Sequence, residues 1–258
     1  MEYKDIRLQV TNACNSKCVY CFANSGKPFK KELSYEKLKD FLTKYLSKLE
    51  VFTFTGGEPL IRTDLVLKLN DFLKSHGIKT RLFTNGFLLT KDIAKEFDVV
   101  QISLDSYRDN VHDRLRGVVG AFQKAVSAIE ISFGKTEVWV RSTITMCNFN
   151  EISQLIDYVA SFGISKWWAR PLIPLGRGLN SSLILNGRQL DRVFKDVAGI
   201  KDDYKMEVSL LPHWNPEKVT NPSLDEMCPD LLITPIGSLK TCAFNNQILG
   251  YIITDHQF

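Results

Sequence analysis

Cys14, Cys18 and Cys21 carry the strongest chemical signal in this chain, in the run Cys14-Asn15-Ser16-Lys17-Cys18-Val19-Tyr20-Cys21. Three thiols on one short loop suit an iron–sulfur cluster. A four-iron cube takes four ligands, so three cysteines leave one iron open to a substrate or cofactor. Zinc also accepts closely spaced cysteines, so the spacing alone leaves a zinc module open.

Other polar signals recur at the ends of β-rich runs. Thr55-Gly56-Gly57-Glu58-Pro59 pairs two glycines, which let backbone approach a ligand closely, with a carboxylate able to meet a cation. Read alone, it is a turn. Asn85-Gly86 is also an ordinary turn former. Alternation puts Ser103 and Asp105 on one face, where they can meet ribose hydroxyls or cap nearby backbone. Arg141, inside a β-rich run, needs a partner or solvent. Arg170 ends the next run and can hold an anionic group or form a rim salt bridge. Trp167 and Trp168 must point to opposite faces.

The elements that position these groups alternate. Strands are expected over 6–10, 51–55, 79–84, 99–104, 137–145 and 166–170, and helices over 34–49, 63–76, 120–131 and 151–162. Ser34 is the expected N-cap of the first helix, and Gly77 and Gly163 end the second and fourth. This rhythm argues for parallel strands with helical crossovers, whose chemistry gathers at the strands' carboxyl ends. Six such units are too few for an eight-unit barrel. A boundary is expected between Gly178 and Asp203, dividing the chain into residues 1–200 and 201–258.

The cysteine spacing, with Tyr20 before the third cysteine, and the later Gly-Gly-Glu-Pro resemble radical S-adenosylmethionine (SAM) enzymes. The resemblance implies an α/β fold: a partial (β/α)6 TIM-like barrel with a small β-hairpin-containing extension. It implies a [4Fe–4S] cluster on Cys14, Cys18 and Cys21, whose open iron chelates the amino and carboxylate groups of SAM. It places Tyr20 beside the cofactor, Gly56, Gly57 and Glu58 at the SAM ammonium, and Asn85 nearby. Ser103 and Asp105 fall at the ribose. With SAM in the barrel, Arg141 could pair with its carboxylate or be exposed on the other face, and Arg170 could hold an anionic group of SAM or substrate. The implied reaction splits SAM reductively into methionine and a 5′-deoxyadenosyl radical, which takes a hydrogen atom from substrate.

Cys147 follows the fifth strand, where a free cysteine is commonly a small hydrophobe. Its catalytic alternative is hydrogen-atom donation, because thiol S–H bonds are weak. Further on, Leu231 to Thr241 reads as a hairpin with its turn near Pro235 to Ser238. Flanked by Cys228 and Cys242, it resembles the opening of the SPASM and twitch extensions, which carry auxiliary iron–sulfur clusters. No cysteine occurs from Ala243 to Phe258. Hence His213, His256, substrate or a partner completes an auxiliary site, or the site is lost, or the sequence stops short of its ligands. His76 reads as a cation at a helix C-terminus.

Composition narrows the partners. At 258 residues and 44% hydrophobic, the chain supports one large domain with a real core. A net charge of +4 without a basic stripe argues against nucleic acid. Lys27, Lys30 and Lys31 form a solvated loop or meet an acidic partner. Six cysteines are too few for a disulfide scaffold. Asp5 and Arg7 interrupt any signal peptide, and no apolar run approaches the ~20 residues of a membrane span, so a reducing cytoplasm is expected. The resemblance favours maturation of a ribosomally made peptide by crosslinking, epimerisation or oxidation. A small molecule such as a sugar or cofactor precursor is the alternative substrate, and a non-catalytic iron–sulfur or zinc module the alternative class. Flavodoxin or ferredoxin would supply electrons. Because the sequence starts close to its first strand, a peptide substrate is expected to need a separate leader-peptide recognition protein or direct binding by the barrel mouth.

Overall fold

A computed structural model describes residues 3–179, 181–211, 230–241, 243–244 and 247–252. In chain order the strands are β1 (Asp5–Gln9), β2 (Val51–Thr55), β3 (Lys79–Thr84), β4 (Val99–Ser103), β5 (Glu137–Ile144) and β6 (Lys166–Pro171). Later come β7 (Glu207–Leu210), β8 (Leu231–Ile233), β9 (Ser238–Lys240) and β10 (Gly250–Tyr251). The helices are α1 (Tyr35–Thr43), α2 (Thr63–Lys74), α3 (Lys91–Ala94), α4 (Asp109–Arg116), α5 (Ala121–Ser132), α6 (Ile152–Ala160) and α7 (Gly187–Ile200).

All ten strands join one sheet in the order β10-β9-β8-β1-β2-β3-β4-β5-β6-β7. From β8 to β7 every pairing is parallel; only β8–β9 and β9–β10 are antiparallel. Among the described residues β7 and β8 do not pair, so the barrel stays open. The six expected βα units are present. Two further parallel strands flank them: β7 extends the sheet beyond β6, and β8 lies beside β1. The sheet therefore takes strands from both sides of residue 200, and the hairpin of β8 and β9 adds to the barrel's first strand.

Alternation assigns the two faces. Ile6, Leu8, Phe52, Phe54, Ile102 and Val140 pack outward into the helical layer. Their neighbours Arg7, Gln9, Thr55, Gln101, Ser103 and Arg141 line a cleft on the inner face. Trp167 and Trp168 divide the same way. Trp167 joins the core and donates from Nε1 to Ser142 Oγ at 3.0 Å, whereas Trp168 faces the cleft and donates to Gln101 Oε1 at 2.9 Å.

Ser34 caps α1 by accepting from the Lys37 amide at 3.4 Å. That helix stops at Thr43, short of Leu49, because Tyr45 and Lys48 turn back onto the carbonyls of Leu42 and Tyr45. The apolar period persists through these turns since Leu49 is still buried. Asn186 and Gln189 form a capping box at α7.

Phe54 is fully buried and meets Phe52 and Phe97 edge-on at 4.9 and 5.7 Å. Phe54→Ala is expected to cost about 3–5 kcal/mol of stability, read as a lowered urea midpoint.

Candidate active site

The cysteine loop leaves β1 at the carboxyl end of the barrel strands. It is held from three directions. From β2, the Gly57 and Glu58 amides donate to the carbonyls of Thr11 and Ala13, both at 2.8 Å. A Cβ on Gly57 would stand 2.2 Å from the Ala13 oxygen, so only glycine permits this approach. From α4, the carbonyls of Arg116 and Leu115 accept from the Lys17 and Val19 amides, both at 3.0 Å. From the turn after β6, Arg177 Nε donates to Cys18 O and Nη1 to Ser25 O, both at 2.8 Å, and its amide donates to Cys21 O.

The three thiols are half-buried and line one cleft. Burial pushes the Cys14 thiol up to about 11 and also raises Cys18. Thiolates there need a cationic partner, which bound iron supplies. Donors already face the sulfurs: Asn85 Nδ2 lies 4.0 Å from Cys14 Sγ, and Arg116 Nη1 lies 3.9 Å from Cys18 Sγ. The donor set therefore fits a cluster. Among the described residues, no three His, Cys, Asp or Glu side chains converge as a single-ion site would require.

Glu58 lines the cleft, but both its oxygens already accept from the chain. Oε1 takes the Thr84 hydroxyl at 2.8 Å and the Leu60 amide at 3.3 Å, and Oε2 takes the Asn85 amide at 2.8 Å. Burial lifts its carboxyl to about 7 against these donors. Glu58 thus ties the β2 loop to the β3 loop and sets Asn85, whose Nδ2 reaches Asn15 and Ser16 in the cysteine loop.

Asp105, expected at the ribose, is fully buried and is not among the cleft-lining residues. It accepts the Tyr20 hydroxyl, pairs with Arg116 Nε at 2.9 Å, and accepts the Thr143 amide at 2.9 Å. Its own amide donates to His112 Nδ1 at 3.0 Å, and Asn148 donates to its carbonyl at 2.6 Å. The strand ends at Ser103, so Asp105 lies two residues beyond it.

Cys147 is a free, half-buried cysteine. It sits in the turn after β5, its amide bonded to Thr145 Oγ1 at 3.1 Å, and is not among the residues lining the cleft. Cys228, Cys242, His213 and His256 lie outside the described residues.

Tyr20, Gly56, Gly57, Asn85, Ser103, Arg141 and Arg170 do share the cleft, which holds about 1280 Å³ including its open mouth. Arg116, His112 and Asn148 were missed in the sequence. Arg116 and His112 lie in α4, whose run Asp-Asn-Val-His-Asp-Arg-Leu-Arg has too few apolar residues to announce a buried face.

A cysteine loop over the carboxyl end of an open parallel barrel defines a class. Residues 8–159 match the model of the Radical SAM superfamily, and the chain belongs to that superfamily. A [4Fe–4S] cluster and SAM are its cofactors. The chain is 34% identical over 179 residues to mycofactocin maturase MftC of Mycolicibacterium smegmatis, covering 66% of this chain and 45% of that protein. It is 32% identical over 264 residues to sporulation killing factor maturation protein SkfB of Bacillus subtilis, covering 96% of this chain and 62% of that protein. It thus spans about half to three-fifths of these relatives. Its fold matches Streptococcus suis SuiB bound to the precursor peptide SuiA, with a TM-score of 0.78 and 16% identity, over 99% of this chain and 64% of that one. No helix among the described residues is long and apolar enough to cross a membrane.

Two outcomes follow from the site's geometry. Gly57→Val should reduce cluster loading severalfold, read as iron and sulfide per chain after anaerobic reconstitution, because the loop cannot seat against Ala13. Burial, with Arg116 nearby, pulls the His112 imidazole down to about 4 from 6.5. The unfolded chain then binds this proton first, so stability is lost as pH falls from 6.5 to 4. The loss is about 3 kcal/mol at most. His112→Gln should lack this part of the pH dependence, measured as unfolding free energy across that range.

Proposed function

We propose that this chain is the catalytic core of a radical SAM enzyme that matures a ribosomally made peptide. One observation carries the chemistry: three cysteines, the Gly56-Gly57 loop and Asn85 converge on one mouth of the barrel. When bound, the cluster supplies the electron that splits SAM into methionine and a 5′-deoxyadenosyl radical.

The chain's own residues bind and shield. Gly56 and Gly57 bring backbone close to the cluster loop, where the SAM ammonium docks. Asn85 and Ser103 reach the cofactor from the ends of β3 and β4. Leu232, Ala243 and Phe244, from the residues after 200, line the same cleft and help keep water from the radical. Phe244 packs against Phe22 of the cysteine loop at 4.9 Å. A flavodoxin or ferredoxin supplies the electron, and a separate protein presents the peptide's leader. The peptide reading is supported by the names of MftC and SkfB and by the SuiB–SuiA complex.

Anaerobic reconstitution followed by a 5′-deoxyadenosine assay tests the reading. Wild type should yield deoxyadenosine under strong reductant. Replacing Cys14, Cys18 and Cys21 together by Ala should abolish both cluster absorbance and product. A fully loaded wild-type cluster that never cleaves SAM sinks the proposal.

A further inference from the structure

The cysteine loop has an outer side that the cleft does not use. Cys14, Ser16, Cys18 and Tyr20 line the cleft, whereas Asn15, Lys17 and Val19 between them are exposed. A single thickness of chain therefore separates the sulfurs from solvent on this side. Two further segments are locked against it. The turn after α4 meets it where the Lys17 and Val19 amides donate to the carbonyls of Arg116 and Leu115, and a Cβ on Gly117 would stand 2.4 Å from the Lys17 oxygen. The loop after β3 meets it through Asn85 Nδ2, which donates to Asn15 Oδ1 at 2.7 Å. Gly86 in that loop abuts α5 in turn, where its Cβ would lie 3.1 Å from the Lys124 oxygen. The three segments form one continuous face.

That face is apolar and basic. Val119 is 93% exposed, the most of any large apolar residue described, and Leu88 and Val19 join it at 41% and 38%. An apolar side chain left in water on each of three interlocked segments marks a surface made for another protein. Lys17, Arg114 and Lys124 are exposed around them. No Asp or Glu occurs over residues 14–19, 85–90 or 114–124. Asp113, just outside, turns its oxygens to the amides of Gly120 and Phe122 at 2.6 and 2.8 Å. Charge complementarity therefore asks for an acidic partner. Lys17, Leu88, Val119 and Lys124 are not among the cleft-lining residues, so such a partner meets the cluster loop from behind and leaves the substrate space alone. What it gains is nearness to the sulfurs, and electron transfer weakens steeply with distance.

We propose that this face, centred on Val19, Leu88 and Val119 and rimmed by Lys17, Arg114 and Lys124, docks the electron donor, a small one-electron carrier with an acidic surface around its redox centre. The inference rests on the radical SAM reading above and gives its electron a point of entry. One electron leaves the reduced carrier, which is oxidised by one, and enters the cluster, which is reduced by one. No covalent bond forms or breaks in this step and no proton moves. The basic rim steers the carrier in, and the apolar centre holds it.

The test titrates the full chain, reconstituted without oxygen, with purified flavodoxin and with purified ferredoxin by calorimetry. At least one carrier should bind, and more weakly as salt rises. Val119→Glu combined with Lys124→Glu should weaken that binding about tenfold. Cluster reduction by the reduced carrier, followed as loss of visible absorbance, should slow by a similar factor. Iron and sulfide per chain, and deoxyadenosine formed with dithionite as reductant, should stay at wild-type levels. Leu88→Glu, on a different segment, reads the same effect should the double variant fail to fold. Carrier binding and reduction that neither variant changes overturn the docking face. So does a wild type that binds neither carrier. A wild-type dimer seen by sedimentation and lost in the variants also overturns it, by giving the face to a second copy of the chain. A wild type that binds a carrier through this face but forms no deoxyadenosine with dithionite refutes the radical reading and leaves the docking face standing.

Discussion

The buried Asp105–Arg116 pair is the joint on which the site depends. Two opposite charges in a dry interior are expensive to desolvate, and their attraction compensates only when the remaining hydrogen-bonding capacity is used. Here it is used: Asp105 also accepts from Tyr20 and the Thr143 amide, and Arg116 also reaches Cys18 and the face of Tyr20. Each partner arrives on a different element: β4's end, α4, the cysteine loop and β5. Breaking any one leaves a charge short of partners, so the four elements keep one arrangement. The pair serves position more than stability, since an apolar replacement of similar shape would cost less to bury.

Position is what a three-cysteine loop needs. Such a loop has no regular structure to hold three sulfurs at fixed separations. The barrel supplies that order from outside, through backbone hydrogen bonds to β2's loop, α4's last carbonyls and Arg177. Close approach matters again at Gly176, whose φ is 57° and where a Cβ would stand 2.3 Å from the Phe22 oxygen. The cluster loop is therefore a packed object, with glycines where other chain segments press on it.

Much of this frame was legible before the structure. Val51–Thr55 and Lys79–Thr84 read as strands to the residue, because β-branched and aromatic runs there are bounded by turn residues. Cys14, Cys18, Cys21, Gly57 and Asn85 were singled out by spacing and by their place after strands, and they line one cleft. The missed parts share a cause. Arg116 and His112 lie on a helix too polar to show a buried stripe, because what it buries is a charge network and not an apolar face. Asp105 looked like an inward strand residue, yet the chain had already left the sheet. β8, only three residues long, gave no sign of partnering β1 in parallel, since a pairing across more than two hundred residues leaves no local trace.

Charge divides the cleft in depth. At its mouth the donors facing the sulfurs include the Ser16 amide and Asn85 at Cys14, and Arg116, itself paired with Asp105, at Cys18. Below, Arg141 meets an aromatic face and has a buried Nε without an acceptor. The two environments are neighbours on β5 and differ in closure: Asp105 is fully buried among its partners, whereas Arg141 lines the cleft.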